Sequence, residues 1–175
     1  EKQLLREYGL ISLKPVLYCA NVDEASVDDL AVQKLVDYSS REHSEFLAIA
    51  GKLEEEISEL PPEDKQEFLQ GMGLQESGLK RLIKASYRLL GLITYYTAET
   101  QLQAWTLPGG STALAAAGQI HSDFEKGFIR AEVYNYRDLM EAGSEPAVRE
   151  QGKLRSEGKE YMVQDGDIIR FLFNV

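Results

Sequence analysis

The chain has 175 residues, which against roughly 150 per domain means one large domain or two small ones. Its 19 Lys and Arg against 29 Asp and Glu leave a net charge of −10, which excludes a general electrostatic pull toward DNA, RNA or an anionic membrane. The one cysteine, Cys19, excludes an intramolecular disulfide and a multi-cysteine metal site and fits the reducing cytoplasm, and no apolar run reaches the roughly 18 residues of a membrane span.

The first segment, Glu1-Lys2-Gln3-Leu4-Leu5-Arg6, reads as the middle of a helix rather than an initiator methionine or a signal peptide, so the chain is expected to be a fragment. That helix stops at Gly9. Pro15–Ala20 is a continuous apolar run, as in a strand buried on both faces, with Cys19 expected inside it. A polar cluster, Asn21-Val22-Asp23-Glu24, follows. Next comes a helix capped by Ser26, with Leu30, Leu35 and Val36 inward and an end near His43. Phe46–Ala50 is a second buried-strand candidate, closed by Gly51. Glu54-Glu55-Glu56-Ile57 belongs to a short acidic helix, expected to present its carboxylates to solvent. Pro62 suits the first turn of a helix over 62–70, and another helix spans 77–90. Strands alternating with helices predict a parallel α/β sheet.

The character changes near residue 91. Leu92–Thr97 and Leu102–Leu107 read as strands, Pro108-Gly109-Gly110 as a turn and Thr112–Ile120 as an Ala-rich helix. Phe128–Val133 alternates as a half-buried strand, and 145–153 reads as helical. Tyr161–Val163 and Ile168–Phe173 are predicted strands around the turn Gln164-Asp165-Gly166-Asp167. The reading is an α/β unit over 1–90 followed by a compact α+β unit over 91–175.

Asn21-Val22-Asp23-Glu24 lies just past the C-terminal end of a predicted strand, where open α/β sheets bind ligands. Asn-x-x-Asp at such a place is how GTPases read guanine, because the carboxylate accepts from guanine N1–H and its 2-amino group. Here the fourth residue is Glu24, one methylene longer, and Val22 stands where a lysine is usual. Both changes weaken a guanine clamp and leave room for adenine. The alternative is an ordinary solvated turn at a strand end. Ala50 and Gly51 close the next strand, where a small-residue loop either backs a base or simply turns into a helix. No G-x-x-x-x-G-K-[ST] and no D-x-x-G phosphate sensor fits the chain, so no phosphoryl-transfer machinery is assigned within it.

Two local basic features stand against the acidic total. Lys80, Arg81, Lys84 and Arg88 fall within about one quadrant of a helix at about 100° per residue, opposite Leu82 and Leu89. Arg149, Lys153, Arg155 and Lys159 form a second run, interrupted by Glu150 and Glu157. Each reads either as a contact for RNA phosphates or as a solvated face. His43 and His121 both read as helix-end residues, with no nucleophile signature beside them.

His121-Ser122-Asp123-Phe124-Glu125-Lys126-Gly127-Phe128-Ile129-Arg130-Ala131-Glu132-Val133 resembles the signature of the YchF-type Obg-like ATPases, translation-factor-class P-loop NTPases. The ending Asp165–Val175, the segments Gly143-Ser144-Glu145, Gly152–Arg155 and Ala104-Trp105-Thr106, and the N-x-x-E motif in its place are similar to the same family. The resemblance covers essentially the whole chain. It implies that 1–90 is the C-terminal part of a P-loop G domain and 91–175 a TGS domain with a ubiquitin-like β-grasp fold. It further implies a protein that prefers ATP to GTP, hydrolyses it slowly with magnesium, and associates with ribosomes, through the large subunit or the whole particle. Asn21, Val22 and Glu24 carry over as the adenine-reading loop, and Ala50 and Gly51 as the loop behind the base. The phosphate and magnesium ligands are expected upstream. The turn Leu107-Pro108-Gly109-Gly110 departs from the more basic turn expected there. A competing reading is a non-catalytic ribosome- or RNA-binding module acting through the TGS domain and the face formed by Lys80, Arg81, Lys84 and Arg88.

Overall fold

The computed structural model describes residues 8–23, 30–98 and 102–174. The expected N-terminal helix tail and the Ser26 cap therefore lie outside the described residues, apart from Tyr8 and Gly9. The chain divides into two compact units between Leu90 and Gly91.

In the first unit a 3-10 turn (Ile11–Leu13) leads into β1 (Leu17–Asn21), α1 (Leu30–Arg41), β2 (Glu45–Ile49), α2 (Gly51–Glu59), α3 (Pro62–Gly71) and α4 (Gly78–Leu90). β1 and β2 pair in parallel, from Leu17 opposite Glu45 to Asn21 opposite Ile49. The parallel strands are linked by a crossover through α1, as parallel pairing requires. Val32, Leu53, Ile57 and Ala85 are the buried apolar side chains here, from α1, α2 and α4. Pro62 opens α3 at its first turn, where its missing N–H costs nothing.

The burial expected in this unit is corrected at three places. In α1, Leu30 and Leu35, expected inward, are exposed, because the helix turns the face of Val32, Val36 and Ser39 inward instead. Every residue of β2 is half-buried rather than fully buried. No residue of β1 is fully buried, and Cys19 is exposed. Among the described residues the sheet has two strands, so each has one unpaired edge and no strand has neighbours on both sides.

The second unit contains β3 (Leu92–Ala98), β4 (Leu102–Pro108), α5 (Ala113–Ile120), α6 (Ser122–Lys126), β5 (Phe128–Asn135), α7 (Tyr136–Ala142), α8 (Glu145–Glu150), β6 (Arg155–Glu157) and β7 (Asp167–Phe173). Its five-stranded sheet runs β4-β3-β7-β5-β6. β3 and β7 are parallel at its centre, and the other pairs are antiparallel. Tyr95, Leu107, Ala131, Val133, Ile169 and Phe171 pack against Ala113, Ala116 and Ala117 of α5. Three buried alanines let that helix lie close to the sheet, and the buried Tyr95 hydroxyl donates to Ala116 O at 2.9 Å. On the other face Tyr134, Val148 and Ile168 form a smaller cluster with Leu139 of α7.

Two predicted elements change. The helix read over 145–153 stops at Glu150, because Gly152 turns into the left-handed region at φ 70°. Tyr161–Val163 is not a strand paired with β7. Tyr161 O and Val163 N instead bond to Ala113 N (2.8 Å) and Ser111 O (3.0 Å), and Met162 forms an isolated bridge with Thr112. The Tyr161 hydroxyl donates to the buried Asp167 at 2.8 Å, which holds the segment against the start of β7. Burial, aided by that carboxylate, pushes the Tyr161 hydroxyl up to about 12.

Candidate nucleotide-base loop

Parallel pairing sets the C-terminal ends of β1 and β2 side by side. Asn21 ends β1 opposite Ile49, and Ala50-Gly51 follows at once as the start of α2. Ala50 caps that helix without a side-chain hydrogen bond. The missing acceptor comes from the neighbouring strand: Asn21 Oδ1 accepts from Gly51 N at 3.0 Å, satisfying one of the free N–H groups of the first turn. Val22 N donates to Ile49 O at 2.9 Å, which extends the pairing one residue into the loop. Gly51 has a steric reason to lack a side chain, because a Cβ there would lie 2.9 Å from Asn21 Oδ1. Asn21, Val22, Ala50 and Gly51 are thus brought together, with Val22 and Ala50 half-buried and Asn21 and Gly51 exposed. Glu24 lies outside the described residues.

One residue that the sequence reading left to solvent has a structural task. The Glu54 carboxylate of α2 accepts from Gly78 N (2.5 Å) and Leu79 N (3.0 Å), capping the start of α4. An anion at a helix N-terminus is favoured by both the hydrogen bonds and the dipole. Gly78 is buried, and a Cβ there would meet Glu54 Oε1 at 2.8 Å. Glu54→Ala is expected to destabilise the first unit by about 1–3 kcal/mol, read as a shift in the denaturant midpoint, because it strands a buried donor. A midpoint equal to that of Glu55→Ala would show the cap to be inconsequential.

The four basic residues of α4 sit on one side of the helix, and three meet partners within the unit. Arg81 Nη2 donates to Ala48 O at 3.0 Å, on the edge of β2 turned away from β1. Lys84 pairs with Glu76 at 2.5 Å and holds that carboxyl below its usual range, while Arg88 pairs with Glu45. The Lys80 side chain is exposed.

The second basic run does not gather as one patch. Lys153 bridges Asp138 and Glu141, each at 2.9 Å. Arg155 donates to the Tyr161 hydroxyl at 3.0 Å and lies 3.7 Å from Asp167. Arg149 instead reaches Glu132 of β5, which Arg130 also approaches. The sequence reading missed Arg130, Glu132 and Arg170 as a group, because their meeting depends on the register of β5 against β7.

The segment His121–Val133 is occupied largely with its own fold. His121 Nδ1 accepts from Asp123 N at 3.2 Å, capping α6. The Phe124 ring lies 3.9 Å from that of Phe173, and Gly127 O accepts from Asn174 N at 2.9 Å. Among the described residues no three His, Cys, Asp or Glu side chains converge as a metal site, and no helix is long and apolar enough to cross a membrane.

The family profile YchF-GTPase_C, described as a protein of unknown function (DUF933), matches residues 92–174. The ribosome-binding ATPase YchF of Bacillus subtilis is 51% identical over 180 aligned residues, covering 100% of this chain and 49% of that protein. The protein of the same name from Escherichia coli O157:H7 is 44% identical with the same coverage. The chain belongs to the YchF family. The Schizosaccharomyces pombe YchF GTPase structure superposes on it with a TM-score of 0.87 at 29% identity, over 97% of this chain and 46% of that one. The chain therefore spans about half the length of the YchF relatives it matches, and its mixed α/β architecture is theirs.

Proposed function

We propose that this chain is the C-terminal portion of a cytoplasmic, ribosome-associated P-loop ATPase, in which it supplies the base-reading loop and an interaction module. The observation that carries the reading is the Asn21 Oδ1 to Gly51 N bond, which ties the two strand-end loops into one fixed surface at the C-terminal edge of a parallel sheet. A base lying there meets Ala50-Gly51, where the absence of bulk allows close approach. Val22, half-buried, offers an apolar side chain rather than the ammonium usual in guanine readers, and the motif's fourth residue is Glu24 rather than the aspartate of guanine readers. Together these favour adenine, hence ATP over GTP. Phosphate and magnesium ligands belong to the part of the family's length that this chain does not span. Magnesium neutralises phosphate charge when bound, whereas this chain's own residues orient the base.

The second unit is read as a TGS domain of the ubiquitin-like β-grasp type. Supporting this are its first and last strands, parallel at the sheet centre, with α5 packed across one face. Ribosome association is carried over from the relatives' names. Of the α4 cations proposed for RNA, Lys80 is best placed, since Arg81, Lys84 and Arg88 have partners within the unit.

The test is nucleotide binding by the full-length protein with magnesium. ATP is expected to bind more tightly than GTP, and Asn21→Ala is expected to weaken ATP binding about tenfold, since it unties the two loops at a cost of about 1–2 kcal/mol. Full-length protein that binds neither nucleotide would overturn the reading, and an unaltered affinity in Asn21→Ala would remove Asn21 from it.

A further inference from the structure

Side chains along β5 alternate between the sheet's two faces. Ala131 and Val133 enter the core beneath α5, so Arg130 and Glu132 lie on the opposite face. The antiparallel register sets Glu132 directly opposite Arg170 of β7 and Arg130 opposite Leu172, which places all four on that face. α8 crosses the same face, with Val148 packed on Tyr134 and Ile168, and its last turn delivers Arg149 to Glu132. Two guanidinium groups therefore approach one carboxylate, with Arg170 opposite it in the strand register.

The ion pairs are loose. Arg130 lies 3.5 Å and Arg149 3.7 Å from the Glu132 oxygens, against about 2.7–2.9 Å for a well-bonded charged pair. Half or more of each arginine side chain is exposed (51% and 57%), whereas Glu132 is only 18% exposed. The Glu132 carboxylate cannot saturate the donors of both Arg130 and Arg149, since each guanidinium carries five. Of the other carboxylates on the helices that cover this face, Asp138 and Glu141 of α7 are bridged by Lys153, and Glu145 sits in the first turn of α8. In a chain of net charge −10, a shared surface of three arginines is where a polyanion would be held.

We propose that Arg130, Arg149 and Arg170 form a binding site for the phosphate backbone of RNA, with Glu132 as the weakly paired carboxylate that a phosphate displaces. The planar fork of arginine fits two phosphate oxygens at once, and phosphate contacts need no particular base sequence. The choice of ribosomal RNA as the ligand rests on the ribosome-associated reading above.

The experiment titrates the 175-residue chain against purified ribosomes and against protein-free ribosomal RNA over a range of KCl. The triple variant Arg130→Gln, Arg149→Gln, Arg170→Gln is expected to lose at least tenfold in affinity for both. Its slope of log K against log[KCl] should be shallower by about two, at roughly 0.7 per phosphate contact. Glu132→Gln removes the competing carboxylate and is expected to tighten RNA binding about threefold, a gain that no unfolded variant would give. Unchanged affinity and slope in the triple variant overturn the site. Weakened binding to ribosomes with unchanged binding to free RNA also overturns it, in favour of an acidic ribosomal protein. Wild-type chain that binds free RNA but not ribosomes refutes the ribosome-associated reading and leaves the site to be judged on the RNA arm; wild-type chain that binds neither removes both.

Discussion

Replacing Gly127 with alanine is expected to destabilise the Gly91–Val175 unit by about 3 kcal/mol or more and to lower its melting temperature by roughly 12–24 °C. The backbone at Gly127 is ordinary, so conformational freedom is not the reason. A Cβ there would lie 2.1 Å from Asn174 O and 2.9 Å from Asn174 C, inside main-chain atoms that cannot rotate away. Gly127 O also accepts from Asn174 N at 2.9 Å, so relieving the clash breaks the bond that ties the end of β7 to the start of β5. Phe173 would move with Asn174, and its ring lies 3.9 Å from Phe124. Trp105 is the chain's one tryptophan and belongs to this unit, so its fluorescence reports the transition. Gly158→Ala is the control, since a Cβ there meets nothing within 4 Å. A Gly127→Ala melt within about 3 °C of wild type would refute the packing argument.

Gly127 also explains how a segment can be diagnostic of a family without carrying its chemistry. Within His121–Val133, the histidine caps a helix, Phe124 packs on Phe173, the glycine admits a neighbouring backbone, and Ala131 and Val133 fill the core. The segment's exposed charged residues are Glu125 and Lys126 of α6 and Arg130 on β5.

The elements legible in the sequence were those whose signal is local. β3, β4 and β7 are β-branched and aromatic runs, and α4 has a clear apolar spacing. α7 was not read because Tyr136-Arg137-Asp138-Leu139 continues the apolar–polar character of β5. It begins only because Asn135 Oδ1 accepts from Arg137 N at 3.1 Å. β6, Arg155-Ser156-Glu157, has no hydrophobic pattern and becomes a strand through its pairing with Ala131–Val133. Tyr161–Val163 looked like a strand because its apolar content is real, but its partners are the turn before α5. The same division runs through the candidate sites. Asn21 and Gly51 were found from their positions at strand ends. The Glu54 cap joins residues 24 apart, and the arginine group depends on strand register, so neither leaves a mark in a sequence window.

Val22→Lys combined with Glu24→Asp in the full-length protein is expected to move nucleotide preference toward GTP by about 10- to 100-fold. A guanine ring presents an N1–H and an amine that a carboxylate accepts together, whereas adenine N1 is itself an acceptor and repels it. Shortening Glu24 by one methylene draws the carboxylate to the guanine reader's length. The lysine stem replaces Val22, which is half-buried beside the Asn21–Gly51 tie. Each charged hydrogen bond gained or lost is worth about 1.5–3 kcal/mol, which converts to that range of discrimination. The measurement is competition between ATP and GTP for the wild-type and doubly substituted proteins. Asn21→Ala separates two causes: it should weaken both nucleotides alike by loosening the surface, whereas the double substitution should change their ratio. If the ratio stays constant while Asn21→Ala weakens both, the loop holds the base without choosing it, and specificity must come from residues that this chain does not contain.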